Sequence, residues 1–434
     1  MMKPLEAVLV GAGQRGRDAF GAFALRFPHL LKFVAVADPD EGRRQLFAQQ
    51  HNIPPERCFS SWQELLERPQ FAPICANATM DREHLPSALA AMEAGYHLLL
   101  EKPMAHTAEG CMEIVETARR LRRIVQICHP LRYSPFYAKV KELLAAGEIG
   151  TLTALTMVEN VGYWHFAHSY VRGNWARVDR SGPVILTKTC HDMDIAAWLV
   201  DAPARRVISI GELRYFRKEF APEGAPERCT DGCPAEDSCP FYAPAAYLGA
   251  NTDWPVSAIS PVDRSYEARK RALETGPYGR CVFRADNDAL DHQMVLVEFA
   301  NGVLFNFTVS GCTSECFRTI RALGTKGELD GHAEKREIRV DRFAQGVWPA
   351  LPRHFYHTQA MYDAHGGGDT GVMKNLVRLV RSDDFAGAMQ SLEIALEGHL
   401  LSFAAERARL DGVPLDMETY RQRIRASLGA AAQA

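Results

Sequence analysis

The sequence predicts an α/β protein with two domains, the first built on a parallel, doubly wound sheet. Three observations support this prediction: a length of 434 residues, a glycine-rich turn near the start, and apolar strands that alternate with helical segments over residues 1–130. A chain of this length exceeds what one hydrophobic core ordinarily organises. We therefore place the first domain at residues 1–130 and the second at residues 131–434.

The composition is that of a well-folded globular protein, with 47% hydrophobic and 24% charged residues. The formal net charge of -3 gives no electrostatic reason to expect nucleic acid or an anionic membrane as a partner. No apolar run reaches the ~18 residues that a membrane span requires. Most of the eleven cysteines are scattered singly in apolar surroundings, which is typical of buried thiols in a reducing compartment. We therefore expect a cytoplasmic protein.

A glycine-rich turn joins the first strand to the first helix. The valine-rich run at residues 6–10 reads as a buried parallel strand, and a helical pattern follows the turn as far as Phe27. A GxGxxG motif alone is weak, but between a strand and a helix it indicates a dinucleotide site, with the pyrophosphate at the helix N-terminus. The expected contacts come from the whole turn: Gly11, Ala12, Gly13, Gln14, Arg15 and Gly16.

Asp38 follows the second predicted strand, residues 33–37, about 20 residues beyond the glycine motif. A carboxylate here accepts hydrogen bonds from an adenosine ribose and repels a 2′-phosphate, so NAD is expected rather than NADP. Arg43 and Arg44 are close enough in sequence to serve a 2′-phosphate. Their place on a predicted helix face favours solvent exposure instead.

The alternation of strands and helices then continues to the end of the first domain. The predicted segments are the strands 74–78, 97–100 and 124–128 and the helices 83–94 and 107–121. Ligands of doubly wound sheets bind at the carboxyl ends of the strands. Thr79, Glu101 and Lys102 stand at such ends and are expected to contact the cofactor.

Five features, taken in order, resemble the Gfo/Idh/MocA oxidoreductase family, the group of glucose-fructose oxidoreductase and inositol dehydrogenase. They are GAGQRG at 11–16, Asp38, Glu101-Lys102-Pro103, HPLRY at 129–133 and HDMD at 191–194. The resemblance covers residues 1–200 and, more loosely, 285–330. It implies a Rossmann domain followed by an α/β domain with a large open mixed sheet, and hydride transfer at a sugar or cyclitol carbon. We also expect a homo-oligomer, either a dimer or a tetramer.

The resemblance assigns Lys102 beside the nicotinamide and His191 as the acid/base group. Hydride removal from an alcohol requires a base and a positive group near the hydroxyl. A histidine at its reference pKa of ~6.5 predicts turnover that rises with pH near neutrality. Many members carry an Asp four residues before the histidine, where this chain has Thr187. The alternative interpretations are that Lys102 only pairs with Glu101 and that His191 only begins a helix.

Residues 163–175 are dense in tryptophan, histidine and arginine, which suits the recognition of a sugar. A contact between domains or subunits is the alternative. The candidate substrate residues lie in this segment, at the start of the second domain or near His191: Arg132, Tyr133, His165, His168, Arg172, Trp175, Lys188 and Asp194.

A proline-rich insert at about residues 217–281 interrupts the strand and helix pattern. It carries four cysteines that predict a structural zinc ion: Cys229, Cys233, Cys239 and Cys281. Their spacing is looser than two CxxC pairs, so free thiols or a disulfide are the alternatives. Beyond the insert, apolar runs around Asn301-Gly302 predict a hairpin. The turn at residues 365–369 (HGGGD) permits a close approach to a ligand or is a plain loop.

The sequence thus predicts an NAD-dependent oxidoreductase acting at a hydroxyl carbon of a sugar, cyclitol or glycoside. One alternative is an NAD-dependent glycosidase or lyase that oxidises C3 transiently, eliminates a substituent and takes the hydride back. Another is a sensor of sugar or cofactor that has lost turnover. Lys102 and His191 argue against the sensor, which has no need of an acid/base pair.

Overall fold

The computed structural model describes residues 3–346, 352–360 and 364–431 and contains two large sheets. The strands of the first sheet are β1 (Leu5–Val10), β2 (Leu31–Ala37), β3 (Cys58–Phe59), β4 (Ile74–Asn77), β5 (His97–Leu100) and β6 (Val125–Ile127). Their order is β3-β2-β1-β4-β5-β6, and all neighbours are parallel. The predicted doubly wound parallel sheet is therefore confirmed.

The helices of this first part cover both faces of the sheet's apolar strands. They are a π-helix (Arg15–Gly21), α1 (Ala22–Arg26), α2 (Glu41–His51), α3 (Trp62–Leu66), α4 (His84–Glu93) and α5 (Ala108–Leu121). Short 3-10 turns lie at Pro55–Arg57, Asp81–Glu83 and Pro130–Tyr133. Helix α5 begins where the Thr107 hydroxyl accepts a hydrogen bond from the Gly110 amide, the usual way to satisfy an orphan N–H at a helix start.

The second sheet has nine strands and mixed directions. Its strands are β7 (Leu152–Gly162), β8 (Ala204–Glu212), β9 (His292–Phe299), β10 (Leu304–Thr313), β11 (Phe317–Gly324), β12 (Gly327–His332), β13 (Glu337–Arg342), β14 (Arg353–His357) and β15 (Leu415–Asp416). The order is β14-β13-β12-β11-β7-β10-β9-β8-β15, with β7 and β10 parallel. The predicted hairpin is β9–β10, which turns at Gly302 with φ +84°. The large open mixed sheet expected from the resemblance is confirmed.

The remaining helices cover one face of this sheet or build the insert between β8 and β9. They are α6 (Pro135–Ala145), α7 (Tyr163–Phe166), a π-helix (Ala167–Arg172), α8 (Val184–Thr187), α9 (Cys190–Val200), α10 (Ala243–Tyr247), α11 (Val256–Ile259), α12 (Tyr266–Thr275), α13 (Gly368–Arg381), α14 (Phe385–Asp411) and α15 (Met417–Ala431). None of the helices in the described ranges is long and apolar enough to cross a membrane.

Two C-terminal helices return to the first sheet. Val372 and Leu376 of α13 are buried in the same cluster as strand β1, and Met389 and Leu392 of α14 are buried with strands β4 to β6. A fully buried leucine contributes roughly 1.5–3 kcal/mol. This packing brings the loop before α13 to the carboxyl edge of the sheet. The boundary near residue 130 stays a prediction.

Candidate active site

The glycine-rich turn has the shape that the motif predicts. Gly11 adopts φ +89°, and a Cβ there would lie 2.3 Å from the Ala78 carbonyl oxygen. A Cβ on Gly16 would lie 2.0 Å from the Gly11 carbonyl oxygen, so neither position accepts a side chain. A Cβ on Gly13 would meet no atom of the described residues within 4 Å. The open side of the turn therefore lies at the glycine assigned to the pyrophosphate.

Asp38 is buried at the end of β2 and faces this turn. Its Oδ2 accepts a hydrogen bond from the Ala12 amide at 2.7 Å, and its Oδ1 accepts from Arg43 Nε at 3.1 Å. Arg44 donates to the Asp38 carbonyl at 2.6 Å. The interpretation of the two arginines as solvent-exposed was wrong in this respect, because both hold Asp38. Arg43, five residues after Asp38, directs its side chain back over the start of α2 to reach the carboxylate.

Arg15 links the glycine-rich turn to two carboxylates. Its Nε donates to Glu101 Oε1 at 2.6 Å, and its Nη2 donates to Asp369 Oδ1 at 2.8 Å. Burial raises the pKa of Asp369, but Arg15 and His365 outweigh this effect and hold that pKa well below its usual value. The HGGGD turn is therefore part of the cleft rather than a plain loop between helices.

Lys102 directs its ammonium group away from Glu101. Its Nζ donates to the Thr187 carbonyl oxygen at 2.8 Å and lies 5.5 Å from the centre of a Trp175 ring, within range of a cation–π contact. The Glu101 carboxylate pairs with Arg15 instead. Thr187 occupies the position of the family's Asp, and its hydroxyl is turned to the Pro183 carbonyl. Residue 187 therefore contacts Lys102 through its backbone carbonyl oxygen and not through its side chain.

His191 lies in the first turn of α9 and is 5% exposed. Its Nδ1 is 3.4 Å from Nδ1 of His129, and its ring centre is 5.7 Å from that of His365. Burial, reinforced by the charge of Lys102, lowers the pKa of His191 well below its usual value. The imidazole is therefore neutral at neutral pH, but the same burial makes it a weaker base than a free histidine.

Arg132, just beyond the first sheet, and Asp194 of α9 form a buried ion pair. Arg132 Nε donates to Asp194 Oδ2 at 2.6 Å, and Nη2 donates to Oδ1. Nη1 donates to the Ser391 hydroxyl at 3.2 Å. The pair thus fastens α9 to α14, behind the cleft.

Arg132→Ala should lower the free energy of unfolding by roughly 3–5 kcal/mol, because it leaves Asp194 buried and unpaired. Denaturant unfolding measures this change. Arg119→Ala is the matched control, because the Arg119–Glu393 pair is 2.7 Å long but about half exposed on both sides. Its removal should cost less than ~1 kcal/mol. Equal small losses in both variants would contradict this role of the buried pair.

Three of the predicted substrate residues lie near Lys102. Trp175 donates from Nε1 to Asp81 Oδ2 at 3.0 Å, and Lys188 pairs with Glu159 at 3.1 Å. His165 is partly exposed, and burial together with Lys188 lowers its pKa to about 2. Trp175 therefore contacts Lys102 directly, and the orientation of these three side chains towards a substrate stays a prediction.

His168 and Arg172 hold the insert, and the His168 ring packs on the same Trp254 ring as His165. His168 bonds the Tyr247 hydroxyl at 2.9 Å and stacks on Tyr278 with ring centres 4.8 Å apart. Arg172 donates to the carbonyl oxygens of Arg280 and Phe241, each at 2.7 Å. Both side chains are buried, and their role towards the substrate stays a prediction.

Tyr133 also has a partner set of its own. Its hydroxyl accepts a hydrogen bond from Asn375 Nδ2 at 2.9 Å and lies 3.3 Å from Gln126 Oε1. These bonds join α13 to the end of the first sheet. Thr79, by contrast, remains at the end of β4, where its hydroxyl donates to Asn77 Oδ1 at 2.8 Å.

The four cysteines of the insert come together in the structure, and the zinc ion there stays a prediction. They line one small enclosed cavity beside Arg172, and all eleven cysteines of the chain are free thiols. Within residues 3–346, 352–360 and 364–431, no group of three or more Cys, His, Asp or Glu side chains is arranged to hold a metal ion. Aromatic packing of Phe216, Phe241 and Phe283 accompanies the thiols in the core of the second domain.

The structure gives contacts to two motif residues that the sequence left without a role, His129 and Asp369, and adds Arg318 and Trp254, which the sequence did not single out. His129 and Asp369 lie beside His191 and Arg15, and Arg318 of β11 donates to Asp192 Oδ1 at 2.9 Å. Trp254 of the insert packs against His165 with ring centres 4.8 Å apart. His129 had a usable signal, because it directly follows a strand at the sheet edge that binds ligands. The others come from distant segments.

Comparisons with known proteins agree with this geometry. Residues 5–129 match the model of the oxidoreductase family with an NAD-binding Rossmann fold, and residues 141–346 match the C-terminal alpha/beta domain of the same family. The putative oxidoreductase YteT of Bacillus subtilis is 24% identical, with 84% of this chain and 87% of that protein covered. Inositol 2-dehydrogenase 2 of Saccharopolyspora erythraea is 30% identical over 44% of this chain and 52% of its own length.

Solved structures share the whole fold. A levoglucosan dehydrogenase in complex with NADH and levoglucosan has a TM-score of 0.68 at 16% identity, covering 96% of this chain and 100% of that one. An inositol dehydrogenase homologue from Azotobacter vinelandii, complexed with NADH and myo-inositol, has a TM-score of 0.64 at 16% identity over 96% and 98% of the two chains. Since the two family models together span most of its length, the chain belongs to the Gfo/Idh/MocA family of NAD-binding oxidoreductases.

Proposed function

We propose that the protein is an NAD-dependent oxidoreductase that removes hydride from a hydroxyl carbon of a sugar, cyclitol or glycoside. The observation that carries the proposal is the hydrogen bond from Lys102 Nζ to the Thr187 carbonyl oxygen, four residues before the buried His191, at the carboxyl edge of the first sheet. The ammonium is close enough to lower the pKa of the imidazole. Relatives named inositol dehydrogenases and a structural neighbour named levoglucosan dehydrogenase support a polyol or anhydrosugar substrate.

The chain's own residues account for the proton and the charge. The nicotinamide, when bound, supplies the hydride acceptor. His191 takes the proton of the substrate hydroxyl, and Lys102 stabilises the alkoxide character that develops on the same oxygen. Trp175, His165 and Lys188 orient the sugar, with the tryptophan face against C–H groups. Thr79 and Glu101 border the cofactor side of the cleft.

The residues present fit a dinucleotide. The Gly13 side of the turn is open, and Asp38 reaches the Ala12 amide at the start of the turn. We propose that Asp38 accepts the ribose hydroxyls of NAD and disfavours a 2′-phosphate. Arg43 shields part of this negative charge, since it shares Oδ1.

Asp38→Ala should weaken NADH binding by roughly 10- to 150-fold, because one charged hydrogen-bonding partner of the ribose is worth about 1.5–3 kcal/mol. NADPH binding should change less, so the preference for NADH over NADPH becomes smaller. Fluorescence titration with both cofactors measures the two dissociation constants. Arg57→Ala is the control, because Arg57 lies before β3, packs over the Phe71 ring and is not assigned to the site. An unchanged ratio of the two constants would remove Asp38 from cofactor selection.

A panel of inositols, monosaccharides, anhydrosugars and glycosides with NAD tests the proposed function. A net dehydrogenase accumulates NADH with at least one polyol, which absorbance at the NADH band reports. Glycoside cleavage without NADH accumulation would support the rival, a lyase or glycosidase that returns the hydride. The observation favouring that rival is Thr187, because it lacks the carboxylate of the family's usual relay. Cofactor binding without either reaction would support a sensor.

We propose further that two copies of the chain associate through the open face of the second sheet. The exposed apolar residues of this face are Ile208, Ile210, Met294, Leu296 and Leu304. Ile210 lies opposite Met294, and Ile208 opposite Leu296, so they form one continuous patch. Contiguous exposed patches of this kind mark association surfaces, and identical chains usually pair about a twofold axis. The eleven free thiols fit a cytoplasmic location.

Ile210→Lys should convert the oligomer into a smaller species, because it places a charge within that apolar patch. Sedimentation velocity at micromolar concentration measures the result. Val413→Lys, at an exposed position outside the sheet face, is the control. An unchanged sedimentation coefficient for Ile210→Lys would place the contact elsewhere.

A further inference from the structure

A row of buried side chains lies behind His191. Its Nδ1 is 3.4 Å from Nδ1 of His129, and Nε2 of His129 is 3.5 Å from Asp194 Oδ1. Exposure falls from 5% at His191 to 2% at His129 and 0% at Asp194. The row therefore runs from the cleft wall into the interior, where the Arg132 pair holds Asp194.

His129 carries a polar atom whose position calls for an explanation. Its Nε2 is buried and makes no hydrogen bond with the residues that the structure describes. A buried ring nitrogen without a partner costs free energy, and such groups are rare. Protonation of His129 would turn Nε2 into a charged donor that faces a carboxylate, which strengthens the contact with Asp194.

The charged and titratable groups around the two histidines come from several elements. Lys102, His365 and Arg318 face His191, whereas Arg132, Lys102 and His399 surround His129. Burial is the largest cause that lowers the pKa of His129 well below its usual value. Both histidines are therefore neutral in the resting enzyme. Asp194 is the carboxylate at the buried end of the row.

We propose that His129 is a positioning residue that acts through His191 as the next group of a proton relay. The inference rests on the proposed function. As hydride leaves the substrate carbon, the hydroxyl proton passes to Nε2 of His191. The Nδ1 proton of His191 passes to Nδ1 of His129. The imidazolium of His129 is then stabilised by Asp194, which itself gains no proton.

Kinetics of His129→Asn and His129→Phe test the relay. The side-chain amide of the first variant still accepts a bond from His191 but takes no proton, and the second variant removes the contact. Both should lose turnover by roughly 10- to 100-fold with little change in KM, because His191 loses its fixed orientation and its proton outlet. NADH affinity should not change, which also shows that the variants are folded.

A double-mutant cycle with His191→Ala distinguishes the relay from a structural role. If His129 acts through His191, then His129→Phe causes no further loss of turnover in the His191→Ala background. A further loss of the same size in that background would overturn the proposal. Wild-type turnover and an unchanged pH profile in His129→Asn and His129→Phe would also overturn it.

Nitrogen-15 NMR of labelled histidines gives a readout that does not depend on turnover. The relay requires that His191 carries its resting proton on Nδ1 in the NADH-bound enzyme, and that His129→Phe changes this tautomer. A resting proton on Nε2 of His191 would overturn the relay even if the enzyme is an active dehydrogenase. If no substrate gives turnover, the proposed function fails, while the tautomer still decides whether the histidines are coupled.

Discussion

Replacement of His191 by alanine should lower turnover by roughly 10²- to 10⁴-fold while NADH still binds normally. The imidazole is the neutral base closest to Lys102 in the proposed chemistry, and it lies outside the glycine-rich turn that holds the cofactor. Steady-state kinetics on the best polyol substrate, with fluorescence titration of NADH, measure both quantities. His97→Ala is the control, because that histidine lies at the far end of β5. Near-normal turnover of His191→Ala would move the base to His165 or His365.

The pH profile of the wild-type enzyme follows from the same residue. A base must be neutral to accept a proton, so activity is lost as the pH falls through its pKa. Burial and Lys102 lower the pKa of His191 well below the ordinary ~6.5. We therefore expect kcat/KM to stay at its plateau at about pH 6.5 and to fall only at lower pH. This corrects the expectation of a rise near neutrality, which ignored burial. A midpoint at or above the ordinary histidine value would contradict it.

Lys102→Met should lower turnover by roughly 10²- to 10³-fold, the usual cost of losing one group that stabilises developing negative charge. Methionine keeps much of the aliphatic stem beside Trp175 but removes the ammonium. Lys188→Met is the matched comparison, because the Lys188 ammonium pairs with Glu159 and is assigned to substrate orientation. It should raise KM more than it lowers kcat. Equal effects of the two variants on kcat would argue against a special role of Lys102.

Much of the first domain could be predicted because short-range patterns determine it. The apolar runs predicted as strands match β5 in full and match β4 and β6 to within one residue at each end. Two glycines of the turn lie so close to backbone atoms that only a residue without a side chain fits there. The carboxyl ends of parallel strands then had to meet at one edge. From that rule alone, the sequence predicts that Gly11, Asp38 and Lys102 lie at one edge of the sheet.

The rest depended on contacts between distant segments. Asp369 pairs with Arg15, which is 354 residues away in sequence. No periodic pattern in the sequence predicts such a pair. His165 and Arg172 stand in one aromatic segment, and both contact the insert, His165 at the Trp254 ring and Arg172 at the Arg280 carbonyl oxygen. The four cysteines share a cavity, and the zinc ion there stays a prediction. Spacing in sequence shows which residues share a segment, whereas their contacts depend on the tertiary fold.

Transfer of deuterium from substrate to cofactor tests the central claim most directly. The enzyme is incubated with NAD and a polyol that carries deuterium at the reacting carbon, and the reduced cofactor is isolated and analysed by mass spectrometry. Direct hydride transfer predicts NADH one mass unit heavier, with deuterium at the nicotinamide C4, and no such product in His191→Ala over the same time. Oxidised polyol accompanied by NADH without deuterium, or turnover with no labelled cofactor at any time, would contradict the account.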